Sequence, residues 1–323
     1  MAKADVAALW DSFEYNSGFI AVKPTSISKR MYHVMKSISR EYIALKRGDQ
    51  KCLNKAIEVL KKENARFNIA TLNKQRFLSG VEYFEKPRRS FGSGKQVCDR
   101  NKQSKCACVI HNNWIVSKAA KVYRFREHLM WMYDGNDQYY TSNSRLYLTY
   151  SNQATSIHYD GRFVHRTTSK EVVESEIFAL KTALTIGYIL NRTVILPKFY
   201  VKANAAKRPL NCVLHIQTFD NDFSGKYREN SFLFHPKVPE DVKSGLSKQT
   251  IVGKVDNSSS PRRYIVSAVE IVRQFGNLNH KVLMFNSLHD VYVVLKNSAE
   301  SIAFISKLSR AFIHSDYRQH KQW

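Results

Sequence analysis

From Thr25 onward, apolar residues recur at helical spacing. Ile27, Met31, Val34, Ile38, Tyr42 and Leu45 fall on one face, with Thr25 or Ser26 in position to cap. The polar stretch "RGDQ" breaks this pattern, and Asp49 can cap a second helix whose face is Leu53, Ala56, Ile57 and Leu60. Ahead of both, "YNSGFIAVKPTS" reads as a turn, a short buried strand at Phe19 to Val22 and a loop ended by Pro24. After them "RFNIATLN" predicts a short strand, and "EKPRRSFGSGKQVCDRNKQSK" has no periodicity and reads as a basic loop. "CVIHNNWIVSKAAKVYRFREHLMW" then supplies a short apolar run ending at His111, a turn and a basic helix.

The pattern changes character at "YDGNDQYYTSNS", which reads as a linker. Beyond it Leu146, Leu148 and Tyr150 alternate as in a half-buried strand. A long helix over roughly 169 to 190 carries Val173, Ile177, Leu180, Leu184 and Gly187 on one face. It runs into "RTVILP", a strand of the kind buried on both sides of a parallel sheet. "SFLFH", "KVLMF" and "VYVVL" predict further strands, "FDNDF" a turn, and 298 to 312 a last helix. Strand–helix–strand alternation in both halves predicts an α/β protein, most simply with a parallel sheet in each half. The domains are expected at residues 1–140 and 141–323, a division that the 323-residue length accommodates.

Charge narrows the partners. Lys and Arg number 51 against 27 Asp and Glu, a net charge of +24 that asks for an anionic partner. Nucleic-acid binding predicts cations interleaved with exposed aromatics along one element. Here the cations are spread and most aromatics fall at core periodicities, so no nucleic-acid partner is expected. Nucleotide diphosphates, acidic glycans or a membrane surface account for the charge as well. No apolar window approaches the roughly 18 residues of a membrane-spanning helix, and the start "MAKADVAALWDSFEYNSGF" lacks a signal-peptide layout. Five cysteines, three of them (Cys98, Cys106, Cys108) in the basic loop, and a sequon at Asn257 lean toward a secretory compartment. The Asn191 sequon reads as a strand entrance.

Among motifs, G-x-G-x-x-G, a complete P-loop, H-E-x-x-H and G-x-S-x-G are all missing, which removes the usual support for dehydrogenase, P-loop kinase, zincin and serine-hydrolase chemistry. Cys98, Cys106, Cys108 and His111 do not have zinc spacing, and a disulfide closing the loop is the better reading. His111 is the sharper candidate. At a strand exit a neutral imidazole can ligate a divalent metal, Asn113 can hold ligand oxygens, and Lys121 in the first turns of the next helix can meet a diphosphate. The ordinary alternative is a turn histidine with its hydrogen bonds satisfied.

"NSGFIAVKPT", "DQKCLNKAI", "FLSG" and "HNNWIVSKAAKVYRFRE" occur in the order seen in the nucleotide-diphospho-sugar transferase domain family, which the chain resembles over about residues 5 to 130. The resemblance implies a GT-A fold and a Golgi-type glycosyltransferase. It implies His111 as a ligand of a divalent cation, usually manganese. Asn113, Lys121, Asn16 and Gly18 would then bind the donor, with Phe19 completing the turn, and Asp49 and Gln50 would stand at the donor or acceptor edge as catalytic residues. Ser117 occupies a position that is usually glycine. The family's D-x-D motif has no counterpart in the fifteen residues before the Asn-x-Gly-Phe turn, so a partial GT-A-like sheet is expected. Asp220 and Asp222 match the D-x-D pattern only in the other half.

The stretch "ALKTALTIGYILNRTVILPKF" is similar to the helix and strand that open fucosyltransferase-like domains, implying a Rossmann-like second domain. Arg228 and Arg262–Arg263 are candidates to face phosphate, with solvated charge as the commoner fate. The expected function is metal-assisted transfer of a sugar from a nucleotide diphosphate donor to a glycan or glycoprotein in the secretory pathway. The alternative is a non-catalytic carbohydrate-binding or interaction module.

Overall fold

The computed structural model describes residues 4–11, 13–44, 48–64, 66–85, 107–113, 115, 117–134, 138–151, 169–197, 199–200, 207–208, 216–256 and 263–312. Cys98, Cys106, Cys212, Asn257 and Arg262 lie outside these residues, as do the loop disulfide and the sequon expected there. So do the side chains of Leu45 and Val173. The chain packs as two compact units, Met1–Ile115 and Val116–Trp323. Sequence reading drew the boundary near residue 140, so the intervening segment packs with the second unit.

The first unit is built on a strand that periodicity missed. β1 (Val6–Asp11) lies at the centre of a three-stranded sheet of order β2-β1-β3, with β2 spanning Glu14–Val22 and β3 spanning Ile69–Thr71. β1 pairs antiparallel with β2 and parallel with β3, so this sheet is mixed rather than parallel. Val6, Ala7, Ala8 and Leu9 are all buried, which is why the run shows no alternation. α1 (Ser26–Ala44) and α2 (Asp49–Glu63) supply the core layer. Val6, Met31, Val34, Leu53, Ala56, Ile57, Leu60 and Phe67 form one buried cluster, the residues predicted from helical spacing among them. A second, parallel pair joins β4 (Phe77–Ser79) to β5 (Val109–His111), with Ser79 opposite His111.

β2 is irregular where it matters. As β1 advances from Ala8 to Leu9, its partner jumps from Ile20 to Asn16, so Ser17, Gly18 and Phe19 loop out of the ladder. The strand expected at Phe19 to Val22 is thus the second part of a longer, bulged strand. Phe19 packs on Phe77 of β4, ring centroids 5.2 Å apart, which seats the bulge against the parallel pair.

The second unit opens with α3 (Lys118–Glu127), α4 (Gln138–Thr141), β6 (Tyr147–Tyr150), α5 (Ser169–Ile189) and β7 (Thr193–Ile195). A short antiparallel ribbon of β8 (Phe199–Tyr200) and β9 (Lys207–Arg208) follows, then α6 (Ile216–Phe223), β10 (Tyr227–Arg228), α7 (Glu240–Ser244) and β11 (Leu246–Gln249). The chain ends with β12 (Lys254–Asp256), β13 (Arg263–Ser267), α8 (Ala268–Phe275), β14 (Val282–Phe285), β15 (Val291–Val294) and α9 (Ala299–Phe312). Five strands form a wholly parallel sheet of order β10-β7-β6-β14-β11. β12-β13-β15 form a smaller mixed sheet. Mixed α/β architecture with parallel pairing is therefore present in both units.

Three local readings are corrected. "SFLFH" is a 3-10 turn over Phe232–Phe234, held by Phe234 N–H to Ser231 O at 2.9 Å, because so short an apolar run has no decisive period. "FDNDF" lies in α6, where Asp220 accepts from the Tyr227 hydroxyl at 2.8 Å and Asp222 pairs with Arg310. Residues two apart on a helix face different ways, so these carboxylates do not form a D-x-D site. Arg228 is buried rather than solvated: it stacks 4.0 Å over the Tyr139 ring and donates to the Tyr227 and Tyr139 carbonyls.

Candidate functional site

Two loops of the first unit meet at the carboxyl end of β1, and Asp11 joins them. This carboxylate, 6% exposed, accepts through Oδ2 from Asn16 Nδ2 at 2.9 Å and from Asn113 Nδ2 at 2.7 Å. Each asparagine uses its carbonyl to fix a backbone. Asn16 Oδ1 accepts from Gly18 N–H at 2.7 Å, closing an Asx turn that shapes the bulge. Asn113 Oδ1 accepts from Gly80 N–H at 2.8 Å, tying the residue after β4 to the turn after β5. The bonds settle both amide orientations, since only the NH2 groups can face the carboxylate.

Gly18 and His111 complete this corner. A Cβ built on Gly18 would fall within the imidazole of His111, meeting Cε1, Nε2 and Nδ1. The missing side chain is what lets the ring lie against the bulge. His111 is partly exposed at the end of β5. Asn113 N–H donates to the His111 carbonyl at 2.8 Å, which holds the turn that carries both side chains.

Asp49 and Gln50 open α2. Asp49 is exposed and its Oδ1 accepts from Gln50 N–H at 3.0 Å, while Gln50 Nε2 donates to Glu14 Oε1 at 2.7 Å. Lys51 Nζ sits 2.9 Å from the other oxygen of Glu14. Asn54 of the same helix bonds both the N–H and the carbonyl of Tyr15. The Asp49–Gln50 edge is thereby fixed to Glu14 and Tyr15, immediately before Asn16. Four of the residues singled out in the sequence, Asn16, Gly18, His111 and Asn113, share one cluster, and Asp49 and Gln50 flank it through β2. Lys121 belongs to the second unit, exposed on α3. Asp11 was missed, and Gly80 was read only as the end of the "FLSG" motif, without a role. The signal for Asp11 was present: a continuous apolar run, "VAALW", ending in aspartate just before the Asn-x-Gly-Phe turn.

The donor set is a poor match to a hard divalent cation. Among the described residues no three of His, Cys, Asp and Glu come together, and Asp11 Oδ2 is already committed to two amides. Manganese or magnesium wants several carboxylate or carbonyl oxygens, which one imidazole does not replace.

Residues 3–125 match the family model described as nucleotide-diphospho-sugar transferase. The segment is similar to that family. The match takes in Asp11, Asn16, Gly18, Asp49, Gln50, His111, Asn113 and Lys121, and it runs past the first unit into α3. No curated protein and no solved structure matches the chain.

The family match also illuminates Ser117. It caps α3, its Oγ accepting from Ala120 N–H at 3.2 Å, and its φ is +80°, a conformation that glycine adopts readily and serine does not. The backbone here thus asks for glycine, the residue that the sequence resemblance leads one to expect at this position.

Proposed function

We propose that the Asp11–Asn16–Gly18–His111–Asn113 corner receives the sugar diphosphate of a nucleotide-sugar donor. The reaction is transfer of that sugar to a hydroxyl of a glycan or glycoprotein. The observation that carries this reading is the fit of the His111 ring against Gly18, inside a segment similar to the sugar-transferase family. In this reading Asp11 is a positioning residue: its charge is spent on the two asparagines, which hold the bulge and the turn rigid. His111 is the donor-facing group, offering a ring nitrogen to the diphosphate oxygens, and Asn113 orients it through the turn. Asp49 and Gln50 form the edge at which donor or acceptor enters. Stabilising the negative charge that develops on the leaving diphosphate lowers the barrier to glycosidic cleavage. A manganese ion would supply the same neutralisation, but the described residues do not complete a site for it, so binding is expected to be weak at best; tight, His111-dependent binding in calorimetry would refute this.

The reading places the protein with the nucleotide-sugar-consuming enzymes of the secretory pathway. Among the described residues no helix is long and apolar enough to cross a membrane. A second reading, a carbohydrate-binding module without turnover, is favoured by the incomplete donor set for a cation. Hydrolysis of a panel of UDP- and GDP-sugars, with and without manganese, decides between them. Turnover that falls at least tenfold in His111→Ala supports the transferase. Glycan binding with no turnover supports the module.

A further inference from the structure

The parallel sheet of the second unit reverses its winding between β6 and β14. From β6 the chain steps outward to β7 and then β10. It returns on the other side through β11 at the edge and β14 beside β6. In open parallel sheets such a reversal leaves a crevice outside the carboxyl ends of the two adjoining strands, because the connections leave toward opposite faces.

Three polar side chains from three elements converge at this place. Tyr150 is the last residue of β6 and is 2% exposed; Glu176 comes from α5 and is fully buried. His289 follows β14 by four residues, its ring edge-to-face with Tyr150 at 6.4 Å. Ser287 Oγ lies 3.2 Å from His289 Nδ1, holding the ring by its outer nitrogen. His289 Nε2 points at Glu176 Oε1 across 3.8 Å, too far for a hydrogen bond. The Tyr150 hydroxyl and His289 Nε2 are both buried and carry no hydrogen bond. Burial pushes the Tyr150 hydroxyl well above its ordinary pKa, with the nearby Glu176 adding to the effect, so it remains an O–H donor. Bare donors and acceptors are costly in a protein interior, and a native fold ordinarily gives them a partner.

We propose that this crevice binds a ligand through a vicinal diol, the cis-hydroxyls of a ribose or of a sugar ring. The chemistry of the three groups selects it. A fully ionised phosphate can only accept, and so offers no hydrogen to the Glu176 Oε1 atom, which carries no hydrogen bond. An apolar ligand would leave Tyr150 and His289 as bare as before. A hydroxyl both donates and accepts, and one placed about 2.8 Å from both Nε2 and Oε1 bridges a gap of this width. The adjacent hydroxyl of the diol then meets Tyr150. All three groups belong to the second unit.

Binding to the full chain is measured by saturation-transfer NMR and calorimetry with uridine, 2′,3′-dideoxyuridine and methyl α-mannopyranoside. Uridine or the mannoside binds, dideoxyuridine does not, and affinity falls at least tenfold in both Tyr150→Phe and Glu176→Gln. Uridine alone assigns a nucleoside ribose, the mannoside alone a glycan. His111→Ala leaves this binding unchanged; loss there would move the ligand to the first unit and overturn the proposal. Failure of both diol probes overturns it too, as does binding that persists in Tyr150→Phe. That variant removes one oxygen from a ring that keeps its packing. Should Glu176→Gln not fold, Tyr150→Phe decides.

Discussion

The two units treat buried polar groups differently. In the first, Asp11, Asn16 and Asn113 form a closed set in which the carboxylate and both amides find partners among themselves and the nearby backbone. In the second, Tyr150 and His289 stand at the mouth of a parallel sheet with polar atoms unmet. The second unit also holds a partly closed set, in which Glu229 Oε1 carries no hydrogen bond. Tyr139 lies between the guanidiniums of Arg126 and Arg228, 3.9 and 4.0 Å from its ring, and donates to Glu229 at 2.6 Å. A satisfied network fixes geometry, whereas an unsatisfied one marks where something else is expected to bind. The first unit therefore reads as a prearranged corner, and the second as a scaffold whose crevice is completed from outside.

The largest expected effect tests whether the units are separate. Leu53→Ala opens a cavity in the first unit's core and is expected to cost about 2–5 kcal/mol there. Hydrogen exchange should show faster opening of β1 and α2 with β6 and β14 unchanged; an equal loss in both units would break the comparison. Gly18→Ala comes next. The new methyl group displaces His111, and a misplacement of about 1 Å is expected to lower turnover of the preferred nucleotide sugar roughly 100-fold with the thermal midpoint almost unmoved. Unchanged turnover would detach the imidazole from the chemistry.

Two smaller effects sharpen the contrast. Ser117→Gly relieves the positive φ while surrendering a modest cap, so a gain of about 1 kcal/mol in denaturant unfolding is expected. The last concerns pH. Burial raises the Glu229 carboxyl above its ordinary value, against the lowering effect of its Tyr139 hydrogen bond and of Arg126 and Arg228. A carboxyl with a raised folded-state pKa contributes stability below its unfolded pKa and loses it as pH rises through the folded value. Stability of the second unit is thus expected to fall as pH climbs from about 4.5. Glu229→Gln should flatten that slope in urea midpoints taken across pH. A slope unaltered in the variant would clear Glu229 of responsibility.

How much was legible depended on the distance over which a signal acts. The faces of α1 and α2 were readable because helical period is a local property, and Leu53, Ala56, Ile57 and Leu60 are buried as spaced. β7, β14 and β15 were readable from apolar runs bounded by turns; β6 was read from alternation, yet its adjacent Tyr147 and Leu148 are both buried. β1 was not, since a central strand buried on both sides shows no alternation. Arg228 was misread because sequence alone does not show a guanidinium sandwiched against Tyr139. The motifs holding Asn16, Gly18, His111 and Asn113 were visible as ordered segments, but not the geometry that unites them.

The sequence by itself determined the α/β alternation, the amphipathic helices and the order of the family's motifs, because these follow from side-chain period and residue type within short windows. Only the tertiary structure decided that Asp11 would bind an amide 102 positions away and that the bare backbone of Gly18 would make room for a ring from β5. Those outcomes depend on which strand lies beside which. That choice is made by the packing of the whole unit, and no local stretch encodes it.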